Sequence, residues 1–284
     1  MERVVRFAII GDVEPKPEPE FGSLHRAVDA ICALHERAPL DFVAGIGDLA
    51  HKGTGIQYRG VSDALRRLPV PFHAILGNEE YGSTEARFFH YARGWNADPG
   101  AIPAVSYTRT YGGIRYVFAT AREGGKEFSP AEIDWIAEQI DAANGGCGAP
   151  GGTPVVLFTH QAANGVFPDD AGKCMKGRLY SERVLSRPNL GIIFSGHSHM
   201  NLDTCTTYAR DRRGVHHVHV PGIARTKIGG AHTPRFRVVQ IDNGRDVTVG
   251  TCNAETGDLE PRHRIRFTLS NGAREREPAT PPSG

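Results

Sequence analysis

The chain has 284 residues, 39% hydrophobic and 23% charged, with 33 basic against 32 acidic side chains and a formal net charge of +1. That composition supplies an ordinary packed core, and the length suits one large domain or two small ones. The even charge balance argues against a dedicated nucleic-acid binder, and no apolar run approaches the roughly 20 residues of a membrane span.

Val4–Ile10 has the pattern of a buried strand and ends in Gly11-Asp12-Val13-Glu14. A carboxylate just past the last apolar residue sits where open α/β sheets build their sites. Pro15–Pro19 is a loop over that edge, because proline suits neither a helix interior nor a central strand. Apolar residues recur at helical spacing over Leu24–Leu34, with Ser23 as the expected N-cap and Pro39 ending the element. A second strand, Asp41–Ile46, stops at Gly47-Asp48-Leu49-Ala50-His51. A helix over Gln57–Leu68 follows, then a third strand, Phe72–Leu76, which ends in Gly77-Asn78-Glu79-Glu80. Glycine followed by Asp or Asn thus recurs at successive strand ends. Turn chemistry also favours these pairs, but not in repeated strand–turn–helix units.

Tyr81–Trp95 reads as helical or irregular. Ser106–Thr110 and Ile114–Thr120 form a hairpin across Tyr111-Gly112-Gly113. Ser129-Pro130-Ala131-Glu132 is a helix start, with proline in the first turn and glutamate at the capping-box position. That helix runs to about Ala143 and buries Ile133, Ile136, Ala137 and Ile140, and Asn144–Gly152 is a glycine-rich loop. Pro154–Phe158 is a strand delivering Thr159-His160-Gln161. The connection Ala162–Gly177 is long, and Leu179–Leu185 is a short helix. The apolar run Ile192–Phe194 breaks at Ser195-Gly196 into His197-Ser198-His199. His216–Val220, Arg235–Ile241 and Asp246–Thr251 complete a sheet, with Arg264–Leu269 at its edge. One domain over residues 1–270 is expected, followed by a disordered tail, 271–284.

At the strand ends stand Asp12, Glu14, Asp48, Asn78, His160, His197 and His199. Oxygen and imidazole donors without thiolate suit Mn, Fe, Mg or Zn. These are too many side chains for one ion. A carboxylate such as Asp48 can bridge two, and a metal pair about 3.5–4 Å apart is the usual clamp for displacement at phosphorus.

The ordered pieces GDVE (11–14), GDLAH (47–51), GNEE (77–80), TH (159–160) and GHSH (196–199) resemble the calcineurin-like metallophosphoesterase family over roughly residues 4–240. The resemblance implies a four-layer αββα sandwich of two mixed sheets flanked by helices. It also implies a two-metal site in which a metal-bound hydroxide attacks a small phosphorylated substrate. One metal would take Asp12, Glu14, Asp48 and His199, and the other Asp48, Asn78, His160 and His197. Asp48 and His197 would thereby take part in catalysis.

The chain departs from the family at two places. Glu14 stands where its first motif has histidine, and Glu79 where its third reads Gly-Asn-His-Glu. Three carboxylates around the first metal favour harder ions, Mn²⁺ above all. Glu79 serves as an acid only if its pKa is raised; otherwise it contacts substrate, ligates metal or acts on a substrate amine. That favours substrates whose leaving group needs little protonation: a phosphodiester, a phosphoanhydride or an activated monoester. The rival readings are a degenerate member acting as a metal- or nucleotide-binding regulatory module, and a nuclease or cyclic-nucleotide phosphodiesterase.

His51 and Glu80 are expected to touch substrate, although His51 equally suits a helix cap. Arg178, with Lys173, Lys176 and Tyr180, lies in the long connection, which either covers the site or is a solvated basic surface. Arg122, Arg225 and Lys227 carry the same two readings. His217, His219, Trp95 and Trp135 read as structural. The five cysteines lack CxxC spacing and read as reduced thiols. With no leader-like segment at the N-terminus, a cytoplasmic protein is expected.

Overall fold

The computed structural model describes residues 4–16, 18–122, 124, 126–144, 152–170, 175 and 177–269. The tail at 271–284, most of the glycine-rich loop, Lys173, Lys176, Cys147 and Cys174 lie outside them. The N-terminal half alternates strand and helix: β1 (Val4–Ile10), α1 (Gly22–Arg37), β2 (Phe42–Ile46), α2 (Gly55–Leu65), β3 (Phe72–Ile75) and α3 (Glu85–Ala92). Then come β4 (Tyr107–Tyr111), β5 (Ile114–Phe118), α4 (Pro130–Asp141), β6 (Val155–Phe158), α5 (Arg178–Arg183) and β7 (Leu190–Ser195). Strands finish the domain: β8 (Tyr208–Arg210), β9 (His216–His219), β10 (Arg235–Asp242), β11 (Asp246–Asn253) and β12 (Ile265–Thr268).

These strands form two six-stranded sheets, ordered β12-β11-β10-β1-β2-β3 and β4-β5-β6-β7-β9-β8. Both are mixed. β1, β2 and β3 run parallel while β10 pairs antiparallel with β1, and β5, β6, β7 and β9 run parallel with antiparallel strands at the edges. The sheets pack face to face with helices outside, the expected four-layer sandwich.

Strand alternation sorts the side chains of the second sheet. Val117, Val155, Leu157 and Ile193 face outward onto Ile133, Ile136 and Ile140 of α4 and Tyr180 of α5. Tyr116, Phe118, Phe158 and Phe194 face inward. There they meet Phe7 and Phe42 of the first sheet in an aromatic layer. Phe118 and Phe158 stack at 4.7 Å, and the Phe7 ring stands edge-on to Phe158 and Phe194 at 6.1 Å. The parallel strands of both sheets point their C-terminal ends at one rim, where the polar residues gather.

Two local expectations change. α1 begins at Gly22 with Phe21 in the cap position, so Ser23 lies inside the helix and caps nothing. α2 spans Gly55–Leu65 rather than running to Leu68. By contrast, Ser129 and Glu132 form the full reciprocal capping box of α4, which buries the four expected apolar residues. The segment Tyr81–Trp95 resolves into a 3-10 turn at Glu80–Gly82 and helix α3.

Candidate metal centre

Three of the relevant strands, β1, β2 and β7, end in backbone that side chains rarely adopt. Asp12 (φ 49°), Asp48 (φ 50°), His197 (φ 66°) and His199 (φ 46°) all lie in the left-handed region. Such conformations cost on the order of 1–3 kcal/mol each and persist only where surroundings enforce them. Hydrogen bonds between the loops do so here. Val13 N–H and Glu14 N–H donate to Asp48 O (3.0 and 3.2 Å), and Ala224 N–H donates to Asp12 O (3.2 Å). His197 N–H donates to Asp12 Oδ2 at 3.0 Å. Gly77 and Gly196 let the loops close: a Cβ at Gly77 would collide with Asp48 Oδ1, and one at Gly196 would lie 2.6 Å from Asp12 Oδ2.

Glu80 secures this arrangement from beneath. It is 1% exposed. Its Oε1 accepts from Leu49 N–H and Ala50 N–H, both at 2.8 Å, and its Oε2 accepts from Asp48 N–H (2.9 Å) and Gly77 N–H (2.7 Å). Four donors fill both carboxylate oxygens. Glu80 is therefore placed as a clamp between the β2 and β3 loops, not as the expected substrate contact. Arg178 does not join the centre either. Its side chain is 89% exposed, pairs with Glu182 along α5, and borders a cavity with Tyr180, Arg210 and Arg213 that no centre residue lines.

Seven donors do converge. The ligand-type atoms of Asp12, Glu14, Asp48 and His199 lie within 4.8 Å of one another, as do those of Asp48, His160 and His197. Asp48 belongs to both groups, and Asn78 Oδ1 lies 3.3 Å from His160 Nε2. Two imidazoles have their tautomers set by the backbone. His160 Nδ1–H donates to Ile46 O (2.9 Å), and His199 Nδ1–H donates to Arg225 O (3.0 Å). Each leaves Nε2 as a lone pair aimed inward. His199 Nε2 then faces Asp12 Oδ1 at 3.0 Å, and His160 Nε2 faces Asp48 Oδ1 at 3.3 Å. Acceptors opposed at such distances require positive charge, a proton or a cation, among them. Asp12 Oδ1, Glu14 Oε2, Asp48 Oδ2 and His199 Nε2 are buried without a hydrogen-bond partner. Such orphaned acceptors fit divalent cations.

The electrostatics agree. Burial, with Asp48 and Asp12 adjacent, pushes the Glu14 carboxyl up to about 9. Burial opposes charge on His160, but the Asp48 carboxylate outweighs it and raises the ring to about 10. Without metal, protons take the place that the donor set reserves for cations.

Further charges border the centre. Arg225 Nη2 approaches Glu14 Oε1 at 3.4 Å, and Lys227 Nζ donates to His197 O at 3.3 Å. Of the two readings open for these residues, the structure places both beside the donors. Lys16 bridges Glu14 (3.6 Å) and Glu79. Glu79 in turn accepts from Lys52 N–H (3.0 Å) and meets His51 Nδ1 at 2.8 Å. Burial works against the Glu79 charge, but Lys16, the Lys52 amide and His51 overcome it and lower its pKa to about 2. Glu79 is thus no proton donor. Sequence reasoning passes over Lys16, one residue of a proline-rich loop, because its role exists only once that loop lies across the β3 end.

A sequence model of the family described as calcineurin-like phosphoesterase matches residues 5–201. No curated protein matches the sequence. Among solved structures, a dimetal phosphatase from Danio rerio is similar at TM-score 0.68 and 16% identity, covering 94% of this chain and 99% of that one. A purple acid phosphatase from yellow lupin (Lupinus luteus) seeds is similar at TM-score 0.63 and 15% identity over 94% of this chain, which spans 54% of the lupin chain. GAP50, the anchor in the inner membrane complex of Plasmodium, is similar at TM-score 0.62 and 11% identity, covering 94% of this chain and 89% of that one. At these identities the structural likenesses speak to the fold.

Proposed function

The chain belongs to the calcineurin-like phosphoesterase family, and from that premise we propose that it hydrolyses a small phosphorylated substrate at a two-cation centre. Metal-dependent phosphoester hydrolysis follows from the family and the clustered donors. The finer reading concerns how the donors are shared. Asp12, Glu14, Asp48 and His199 would hold one cation, and Asp48, Asn78, His160 and His197 would hold the other. The observation that carries it is the overlap of two donor groups at Asp48, with buried, unpartnered acceptors on Asp48 and on Asp12, Glu14 and His199 of the first group. Three carboxylates and one imidazole in the first set favour Mn²⁺ over softer ions.

Two such cations would lower the pKa of coordinated water and neutralise phosphate oxygens. The chain's own residues do the rest. Asp48 fixes the spacing of the two sets, and Asp12 orients the His197 backbone through its amide. Arg225 and Lys227 present positive charge to the substrate's non-reacting oxygens. A phosphodiester, a phosphoanhydride or an activated monoester suits a centre whose residue 79 is an ion-paired carboxylate. A degenerate regulatory module, a nuclease or a cyclic-nucleotide phosphodiesterase is not favoured: six of the seven candidate donors fall in two overlapping clusters, Asn78 lies beside His160, and the chain lacks a strong basic excess.

Metal analysis, with a screen of bis-aryl, aryl and nucleotide phosphates with and without Mn²⁺, tests this. The expected result is about two metal ions per chain and Mn²⁺-dependent turnover that Asp48→Asn abolishes. Tight metal binding with no turnover of any member sinks the enzymatic reading.

A further inference from the structure

Three partly exposed side chains form a line along the rim of the buried donors. Lys16 (19% exposed) touches Glu14, Glu79 (15%) touches Lys16, and His51 (21%) touches Glu79. Glu79 is also tied to the centre by its own N–H, which donates to Asp48 Oδ1 at 2.8 Å. Its carboxylate oxygens are divided: Oε1 faces Lys16, and Oε2 receives Lys52 N–H and His51 Nδ1–H. A carboxylate paired in this way is poorly suited to give a proton. It is well suited to hold an imidazole in one tautomer and one orientation. With Nδ1–H committed to Glu79, Nε2 is the His51 nitrogen left to exchange a proton with a bound molecule.

We infer that His51 is the catalytic proton donor to the leaving oxygen, and that Glu79 is its positioning residue, in the phosphoester hydrolysis proposed above, on which this inference rests. As water oxygen bonds to phosphorus and the phosphorus–leaving-oxygen bond breaks, that bond's electron pair goes to the leaving oxygen. The proton on His51 Nε2 joins it there, and His51 remains neutral with Nδ1–H still on Glu79. The attacking water's proton passes to solvent, from which His51 is recharged. One ester and one water give one alcohol and one phosphate. General acid catalysis matters more as the leaving group becomes more basic, so the dyad extends the substrate range toward less activated esters.

The purely structural alternative is that the Glu79–His51 contact only staples the turn at His51–Gly53 to that at Glu80–Gly82. The test uses the full chain loaded with Mn²⁺ and substituted phenyl esters whose leaving phenols rise in basicity from nitrophenol to phenol. His51→Gln is expected to lower kcat for the phenyl ester about 100-fold more than for the nitrophenyl ester. Glu79→Ala should show the same leaving-group dependence, and Glu79→Gln, which keeps an acceptor for Nδ1–H, should restore much of it. Losses uniform across the series, or none, overturn the inference while leaving the phosphoesterase reading intact. A wild-type protein inert toward every ester overturns both. Independently of turnover, imidazole ¹⁵N shifts should report His51 protonated at Nδ1 in the wild type and redistributed in Glu79→Ala. An unprotonated Nδ1 in the wild type overturns the dyad directly.

Discussion

Glu80 hydrogen-bonds to Asp48 through the backbone N–H, and by that bond it helps decide where Asp48 stands. Replacing it by alanine leaves four buried N–H groups without an acceptor. Each such group costs about 1–3 kcal/mol. Allowing for relaxation and water entry, Glu80→Ala should destabilise the fold by roughly 3 kcal/mol or more, read as a lower midpoint in denaturant. Glu79, its neighbour, has the opposite character: partly exposed at the rim and engaged by side chains from two other loops. A family resemblance read from sequence marks Glu79 as unusual but says nothing of what meets it. The partners Lys16 and His51 come from the β1 and β2 loops, and their convergence is a property of the packed molecule.

At the level of elements, α4 and α1 show what local chemistry can and cannot reveal. The α4 start is legible because Ser129, Pro130 and Glu132 do all the work within one turn. Ser129→Ala should lower stability by about 1 kcal/mol in denaturant titration while leaving turnover unchanged, since α4 lies on the outer face of the second sheet. The α1 start is not legible in that way. Phe21 takes the cap position because its ring packs against Gly60 of α2, where a Cβ would collide with it. A tertiary contact thus displaces the serine that spacing nominates. β8 escapes sequence reading for another reason: its three residues are too few to show alternation, and it exists by pairing with β9. The site is the most legible part, because five strand ends, four of them punctuated by glycine, deliver oxygen or imidazole donors.

Over the whole molecule, metal removal and pH act on the same charges. With chelator present, Glu14 carries a folded pKa of about 9 against 4.5, and His160 about 10 against 6.5. Both are raised, so the folded state holds more protons than the unfolded state, and stability falls as pH rises between 7 and 9. Cations that occupy the centre displace those protons. The melting temperature of chelated protein should therefore drop across that window, and Mn²⁺ should raise it and flatten the dependence; a flat profile without metal would contradict the assigned burial of Glu14. The donors themselves are shared between the sheets: Asp12, Asp48 and Asn78 follow strands of the first, His160, His197 and His199 strands of the second. Their separation is consequently gauged by the aromatic layer of Phe7, Phe42, Phe118 and Phe158. Those rings act as a spacer of fixed thickness for a reaction they never touch. Trimming one would mistune the chemistry well before it unfolded the chain.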